Sequence, residues 1–380
     1  MKILLVTNDF PPKVGGADDY VAQIARRFAP GEITVVASTS PGAEAFDAGF
    51  PQRVVRVPVR KLLPTPMVRA RTHDLVRTEQ ADVVLFGASM PLALMGARIT
   101  RDLSVPYTTF THGVEIAASR LPFGRAALRR IGHTAALITV VSRWTRARLA
   151  PFVGPATRLE VLPSGIDAAA FYPGVASDGV RARYGLGSGP VISCVSRLVP
   201  RKGQDKLIRA LPRITQDFPS TRLLIVGGGR DESRLRTLAR QLRTDDRVVF
   251  AGEVPYGDLP AHFAVGDVFA MPCRSRRLGL ETEALGAVYL QAAGVGRVSI
   301  AGRVGGAPEA VRHGETGLVI DGRSVQELTA AVLELLRDPD RARRMGAAGA
   351  QWVHRELTWD RVTARLRGWL EQIVGGPRGG

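Results

Sequence analysis

The sequence predicts an α/β protein made of two doubly wound, mostly parallel sheets. Three observations carry this. Short, near-continuous apolar runs recur along the chain, with stretches of helical spacing between several of them. That alternation indicates parallel strands covered by helices on both faces. The pattern softens once, over "GIDAAAFYPGVASDG" (165–179), and then restarts. A length of 380 residues is enough for two ordinary domains with their own cores.

In the first half the runs "KILLVT" (2–7), "ITVVAS" (33–38), "RVVRVPV" (53–59), "ADVVLFG" (81–87), "YTTFTH" (107–112), "ALITVVS" (136–142) and "RLEVLPS" (158–164) read as strands. A helical pattern such as "ADDYVAQIARRF" (17–28) lies between the first two. After the soft region, which reads as a linker, come "VISCVSR" (191–197), a helix over 203–217 and "TRLLIVGGG" (221–229). A helix over 231–243 follows, then "RVVFAGEV" (247–254), "VFAMPC" (268–273), "RVSIAG" (297–302) and "GLVID" (317–321). The expected domains are 1–168 and 169–356, followed by a segment 357–380. In that segment Val362, Leu366, Trp369, Leu370 and Ile373 form one apolar helix face, expected to pack back across the domain junction, with "PRGG" as a frayed tail. Ligands in such sheets sit beyond the carboxyl ends of the strands, so the expected site is the cleft between the two halves.

Composition narrows the function classes. There are 52 basic and 35 acidic side chains, a formal charge of +17. This predicts affinity for polyanions such as nucleic acid, acidic lipid or phosphorylated substrates. An Arg-rich bias spread over solvated faces would produce the same total. Aromatic residues make up only 6%, and no nucleic-acid motif is present, so a nucleic-acid partner is not expected. Two cysteines, Cys194 and Cys273, are too few for a disulfide framework and favour a reducing compartment. "MKILLVTNDF" reads as a buried first strand rather than a signal segment. No apolar run approaches the roughly 18 residues that span a bilayer, so a soluble or membrane-surface protein is expected.

Several residues are candidates for chemistry. Gly15 and Gly16, at the start of the first helix, would let backbone N–H groups approach an anion closely. A tight turn would look the same. In "SRLVPRKGQDKL", Arg197 ends a strand and Lys202 precedes a helix, a pairing able to clamp a diphosphate; a solvated basic loop is the alternative. His112, in "FTHGVE", ends a strand and could meet a sugar hydroxyl or a leaving group, or be structural. Glu283 lies just before Leu285 and Gly286, where free N–H groups at a helix start can hold phosphate. Its carboxylate could accept bonds from sugar hydroxyls or simply complement the helix dipole. The other histidines show no metal spacing, and no P-loop or nucleophile elbow is present.

Together these segments resemble the retaining GT-B glycosyltransferases of family four. The resemblance is carried by the Gly pair 15–16, "THGVE" (111–115), "LPSGID" (162–167), "SRLVPRKGQD" (196–205) and "LLIVGGGRDESRL" (223–235). It continues through "VVFAGEV" (248–254), "MPCRSR" with "LETEALG" (271–286) and "GGAPEAV" (305–311), in order over nearly the whole chain. It implies a GT-B fold and a nucleotide-sugar donor, GDP-mannose, bound mainly by the second half. Arg197 and Lys202 would hold the diphosphate, with Gly16 approaching it. The base would lie near Glu253 and Val254, Glu283 would contact the sugar hydroxyls, and His112 would sit near the sugar. Transfer would retain configuration, with the leaving phosphate helping to deprotonate the acceptor, and no metal cofactor is expected. The implied acceptor is a phosphatidylinositol mannoside-type lipid, at the cytoplasmic face of the plasma membrane.

The sequence also departs from the family pattern. Where the family has a second Glu for the ribose, this chain has Gln291, which still accepts a hydrogen bond but without charge, a difference of about 1 kcal/mol. "GVGRVSIAG" lacks the family's Pro, adds Arg297 and puts Ser299 in a strand expected to be buried, where a hydroxyl needs a partner. Arg276, Arg277 and Leu278 replace a Gly-rich stretch. Three readings therefore stand at this stage. The first is a mannosyltransferase held to an anionic membrane surface by basic segments such as "RVVRVPVRKLLP" (53–64) and the arginines around the first helix. The second is a family-four enzyme with another nucleotide sugar and a soluble or polysaccharide acceptor. The third is a degenerate sugar-nucleotide-binding protein that no longer catalyses. The sequence leaves the oligomeric state open.

Overall fold

A computed structural model of the chain describes residues 1–13 and 15–376; the "PRGG" tail lies outside them. The chain divides into two compact units. One is formed by Met1–Ser164 together with the segment from Trp359 onward, the other by Gly165–Thr358.

The first unit holds a seven-stranded sheet with all neighbours parallel. Its strands are β1 (Ile3–Thr7), β2 (Ile33–Ser38), β3 (Arg53–Val57), β4 (Val83–Phe86), β5 (Tyr107–Phe110), β6 (Leu137–Val140) and β7 (Leu159–Val161). The order β3-β2-β1-β4-β5-β6-β7 puts the apolar "ILLVT" of β1 in the sheet interior, between β2 and β4, buried along its whole length. Edge strand β3 carries Arg53, which is exposed, and Arg56, whose guanidinium donates to Asp47 and to the Ser38 and Pro11 carbonyls.

The second unit repeats the plan with β8 (Val191–Val195), β9 (Arg222–Val226), β10 (Val248–Gly252), β11 (Val268–Met271), β12 (Val298–Gly302) and β13 (Gly317–Ile320). Their order is β10-β9-β8-β11-β12-β13, again all parallel. Each sheet grows outward from its first strand in one direction and then resumes on the other side. The resulting switch points lie between β1 and β4 and between β8 and β11. Loops diverge there, and such sheets bind ligands at these points.

The strands end earlier than the apolar runs predict. His112 follows β5 by two residues, Arg197 follows β8 by two, and Glu253 and Val254 lie just past β10. Residues 165–179 are not a loose linker. Ile166 and Phe171 are fully buried, the Ile166 N–H donates to the Leu357 carbonyl at 2.8 Å, and the Phe171 ring meets those of Tyr256 and Phe263. Ala and Gly in this stretch give a low-contrast pattern, but its two large apolar side chains are anchors.

The C-terminal helix Trp359–Gly375 belongs to the first unit. It buries Trp359, Val362, Leu366 and Leu370, while Trp369 and Ile373 are half-buried. Trp359 meets Tyr20 edge-on at 5.3 Å. Arg367 grips Glu32 with two parallel bonds, Nη1–Oε1 at 2.7 Å and Nη2–Oε2 at 2.6 Å. The guanidinium bonds draw the Glu32 carboxyl down to about 2.

Candidate active site

In the second unit the site grows from the ends of β8 and β11. After β8, residues Pro200–Lys202 form a single 3-10 turn, and Gly203 follows with φ +87°. A Cβ on Gly203 would stand 2.2 Å from the Pro272 carbonyl oxygen, so only glycine lets this turn press against the chain leaving β11. The turn sends two consecutive cations the same way. Lys202 Nζ and Arg201 Nη1 each donate to Glu283 Oε2 at 2.6 Å. Lys202 is only 7% exposed and Glu283 8%. Burial alone would raise the Glu283 carboxyl, but the charges of Lys202 and Arg201 outweigh it and hold the group below its usual range.

Other bonds stitch the same two segments together. Arg274 Nη2 donates to both Asp205 oxygens, at 2.8 and 3.0 Å, and the Arg274 N–H donates to the Arg201 carbonyl at 2.8 Å. Gln204 Nε2 donates to Ser196 Oγ at 2.9 Å, fixing the start of the next helix. Arg197 is exposed, with no side-chain partner among the described residues. Its charge is available to an anion.

Gly286 opens the helix Ala287–Gly294 at φ +90°; a Cβ there would meet the Tyr289 ring at 2.6 Å. Leu285 beside it is buried. The Gly306 N–H donates to the Glu283 carbonyl at 3.0 Å, and a Cβ on Gly305 would stand 1.9 Å from that same oxygen. The "GG" of 305–306 therefore holds the Glu283 backbone. Gln291 lies on the second turn of the helix, half-buried, with no side-chain hydrogen bond among the described residues. Glu253 is exposed and lines up against Gly228, where a Cβ would meet its Oε1 at 2.7 Å; Val254 beside it is half-buried. Ser299, on β12, is buried and its hydroxyl has no partner among the described residues, and the same holds for Arg297 Nε.

In the first unit the candidates gather around β1, β4 and β5. Gly15 caps the helix Gly16–Ala25 in an extended conformation, and a Cβ on it would stand 2.5 Å from Asp18 Oδ2. Gly16 has open space around its Cβ position. Burial, and then the charge of Asp9, push the Asp18 carboxyl up to about 6. His112 Nε2 lies 2.8 Å from the Gly87 carbonyl oxygen. A carbonyl only accepts, so Nε2 carries the proton and Nδ1 of the neutral ring keeps the lone pair. The fully buried Glu115 carboxylate accepts from the His112 N–H at 3.2 Å, the Gly113 N–H at 3.0 Å and the Ser89 hydroxyl at 2.9 Å. Tyr20 stands edge-on to the His112 ring at 5.3 Å.

Sequence reasoning paired Lys202 with Arg197; the structure pairs Lys202 with Arg201 on Glu283 and leaves Arg197 apart. It also missed Glu115 and Arg274, although both fall inside the quoted motifs. The signals were there: adjacent cations before a glycine, and a carboxylate three residues after a histidine at a helix start. The basic segments expected to meet a membrane are engaged within the fold only in part, since Arg60 and Lys61 are exposed with no side-chain partner among the described residues. Arg53 pairs with Glu79 at 3.1 Å and Arg56 with Asp47 at 2.7 Å. Arg26 lies over the Phe50 ring and Arg27 pairs with Asp360.

Two parallel Rossmann-like sheets, with a buried carboxylate held by two cations beyond the switch point of the second, define a glycosyltransferase of the GT-B class. Residues 14–170 match the family model "Glycosyltransferase Family 4" and residues 180–352 match "Glycosyl transferases group 1". The chain is 46% identical over 378 residues to the GDP-mannose-dependent alpha-(1-6)-phosphatidylinositol monomannoside mannosyltransferase of Mycobacterium tuberculosis (strain CDC 1551 / Oshkosh), spanning 97% of this chain and 98% of that one. It is 47% identical to the protein of the same name from Mycolicibacterium smegmatis, over 96% of this chain and 97% of the other. Among solved structures, Anabaena HepE in complex with UDP superposes with a TM-score of 0.82 at 20% identity, covering 98% of this chain and all of that one. The chain belongs to glycosyltransferase family 4. It is an enzyme of that family, so the degenerate reading is set aside.

Among the described residues no helix is long and apolar enough to cross a membrane, and no cluster of three or more His, Cys, Asp or Glu is arranged to hold a metal ion. Cys194 and Cys273 are both free and buried.

Proposed function

We propose that this enzyme transfers mannose from GDP-mannose to a phosphatidylinositol mannoside-type lipid, with retention of configuration, at an anionic membrane surface on the cytoplasmic side. The observation that carries the reading is the Lys202–Arg201–Glu283 cluster, in a chain 46–47% identical along nearly its full length to mannosyltransferases of that name. Arg197 and Lys202 take the diphosphate, with Arg201 beside them. Their charge stabilises the negative charge that grows as the sugar–phosphate bond breaks. Glu283 contacts the sugar hydroxyls, and its placement by Gly286 and Gly305–Gly306 makes that contact rigid. The backbone N–H groups at Leu285 and Gly286 face phosphate, Gln291 accepts from the ribose, and Glu253 with Val254 borders the base. In the first unit Gly15 and Gly16 offer N–H groups to the diphosphate, and His112 meets the transferred sugar. The anomeric carbon breaks its bond to the diphosphate oxygen and forms one to the acceptor hydroxyl, whose proton passes to the departing phosphate.

The test is direct. Purified protein is incubated with GDP-mannose and phosphatidylinositol monomannoside, and the product is read by mass spectrometry and by its anomeric NMR signal. One added hexose in α linkage is expected. Equal transfer from UDP-glucose, or transfer only to a water-soluble sugar, would move the assignment to a different member of the family.

A further inference from the structure

The segment following His112 carries a surface that the transfer reaction does not use. Helices Val114–Ala118 and Pro122–Thr134 meet in a tight turn. A Cβ on Gly124 would stand 2.0 Å from the Ala118 carbonyl oxygen. The Leu121 N–H donates to that carbonyl at 3.0 Å, the Arg125 N–H donates to the Leu121 carbonyl at 3.0 Å, and Arg125 Nε donates to the Ser119 carbonyl at 2.8 Å. The backbone is held on both sides of Phe123. Yet the Phe123 residue is 91% exposed, with Val114 69% and Leu121 63% exposed. Two large apolar side chains, Leu121 and Phe123, on a hydrogen-bonded turn and open to water mark an interaction site.

The surrounding charge says what it meets. From Ile116 to Arg158 the chain has eight arginines and no aspartate or glutamate. Arg120, beside Leu121 in the chain, and Arg129 and Arg130, about two turns further along the helix, are exposed. We propose that this turn docks on an anionic bilayer, with Leu121 and Phe123 entering the acyl boundary and the arginines at the phosphate level. A second copy of the chain fits poorly, because a two-fold interface would set arginines against arginines. The inference rests on the lipid-acceptor reading and adds a second contact to the 53–64 segment, where Arg53 and Arg56 are paired within the fold while Arg60 and Lys61 stay exposed. It also ties docking to the site. Glu115, in the first turn of the same short helix, holds the His112 and Gly113 N–H groups, so the membrane-bound element and His112 form one rigid segment.

The test is co-sedimentation with vesicles of phosphatidylcholine alone or with phosphatidylinositol added. Wild type should bind only the anionic vesicles. The double variant Leu121→Ser/Phe123→Ser should bind them about tenfold more weakly or worse. Arg129→Glu/Arg130→Glu should lose the preference for anionic lipid. Both variants should still transfer mannose to a short-chain acceptor in solution, which shows that they are folded. Absence of that transfer in the wild type would sink the functional reading, whatever the vesicles show. Wild-type failure to bind anionic vesicles, or equal binding by the Leu121→Ser/Phe123→Ser variant, overturns the docking surface. So does a dimer that this variant converts to monomer in light scattering, which would assign the patch to a second copy.

Discussion

Removing the Glu283 carboxylate tests the charge balance of the second unit. In Glu283→Ala, the Lys202 ammonium and the Arg201 guanidinium lose the single oxygen that both now reach at 2.6 Å. Breaking a buried ion pair from one side costs about 3–5 kcal/mol, because the remaining charge stays desolvated. Arg201 has a more exposed side chain than Lys202, 18% against 9%, and can swing toward water, so the lower end applies, about 3 kcal/mol. For a unit of this size that corresponds to a fall in Tm of about 6–12 °C. GDP brings negative charge back to the same two cations. Its affinity for the variant should therefore match or exceed that for wild type, and it should raise the variant's Tm by more. Mannose transfer should still fall by about 100-fold or more, because the sugar contact is gone. Glu283→Gln, which keeps an oxygen acceptor, should lie between. Calorimetry with and without GDP, and titration of GDP, read both quantities. The reasoning fails if Glu283→Ala melts within about 2 °C of wild type. It fails equally if the folded variant loses GDP affinity by more than about tenfold, since the carboxylate rather than the cations would then carry the donor.

Three further outcomes follow from the geometry. Glu115→Gln replaces a buried acceptor of two N–H groups with a neutral one; kcat should drop about tenfold with little change in KM for the donor, as expected of a residue that positions His112. Asp18 has a folded pKa of about 6, above its usual 3.8, so its contribution to stability is fully present below 3.8 and lost as pH rises through 6. Asp18→Asn should accordingly gain stability at pH 8, at most about 3 kcal/mol, and show no gain at pH 3, as read from denaturant melts. Ser299→Ala removes a buried hydroxyl with no partner and should stabilise the fold by about 1 kcal/mol, leaving KM unchanged in steady-state kinetics. A loss of stability would show that the hydroxyl is satisfied after all.

Much was legible in the sequence because it depends on near neighbours. Runs such as "ILLVT" and "LLIV" must be buried on both faces, and with helices between them only a parallel sheet satisfies that. The candidate segments were equally visible, since Gly203, Gly286 and Gly305 mark backbone that no side chain could follow. What tertiary structure alone decided is which charges meet. Lys202 and Glu283 lie 81 residues apart and touch because β8 and β11 are sheet neighbours, an order that local pattern does not encode. The same holds for Arg56, paired with Asp47, and for Arg197, left open while Lys202 is engaged with Glu283. Residues 165–179 read as a linker because Gly, Ala and Pro give no period, and only the packing of Phe171 among aromatic rings made them part of the second unit. Phe123 is the converse, a large apolar residue that a braced turn holds in water. Periodicity decides that an element forms and which face it buries; the pairing of long charged side chains and the exposure of a loop tip depend on contacts between distant segments, which exist only once the sheets are assembled.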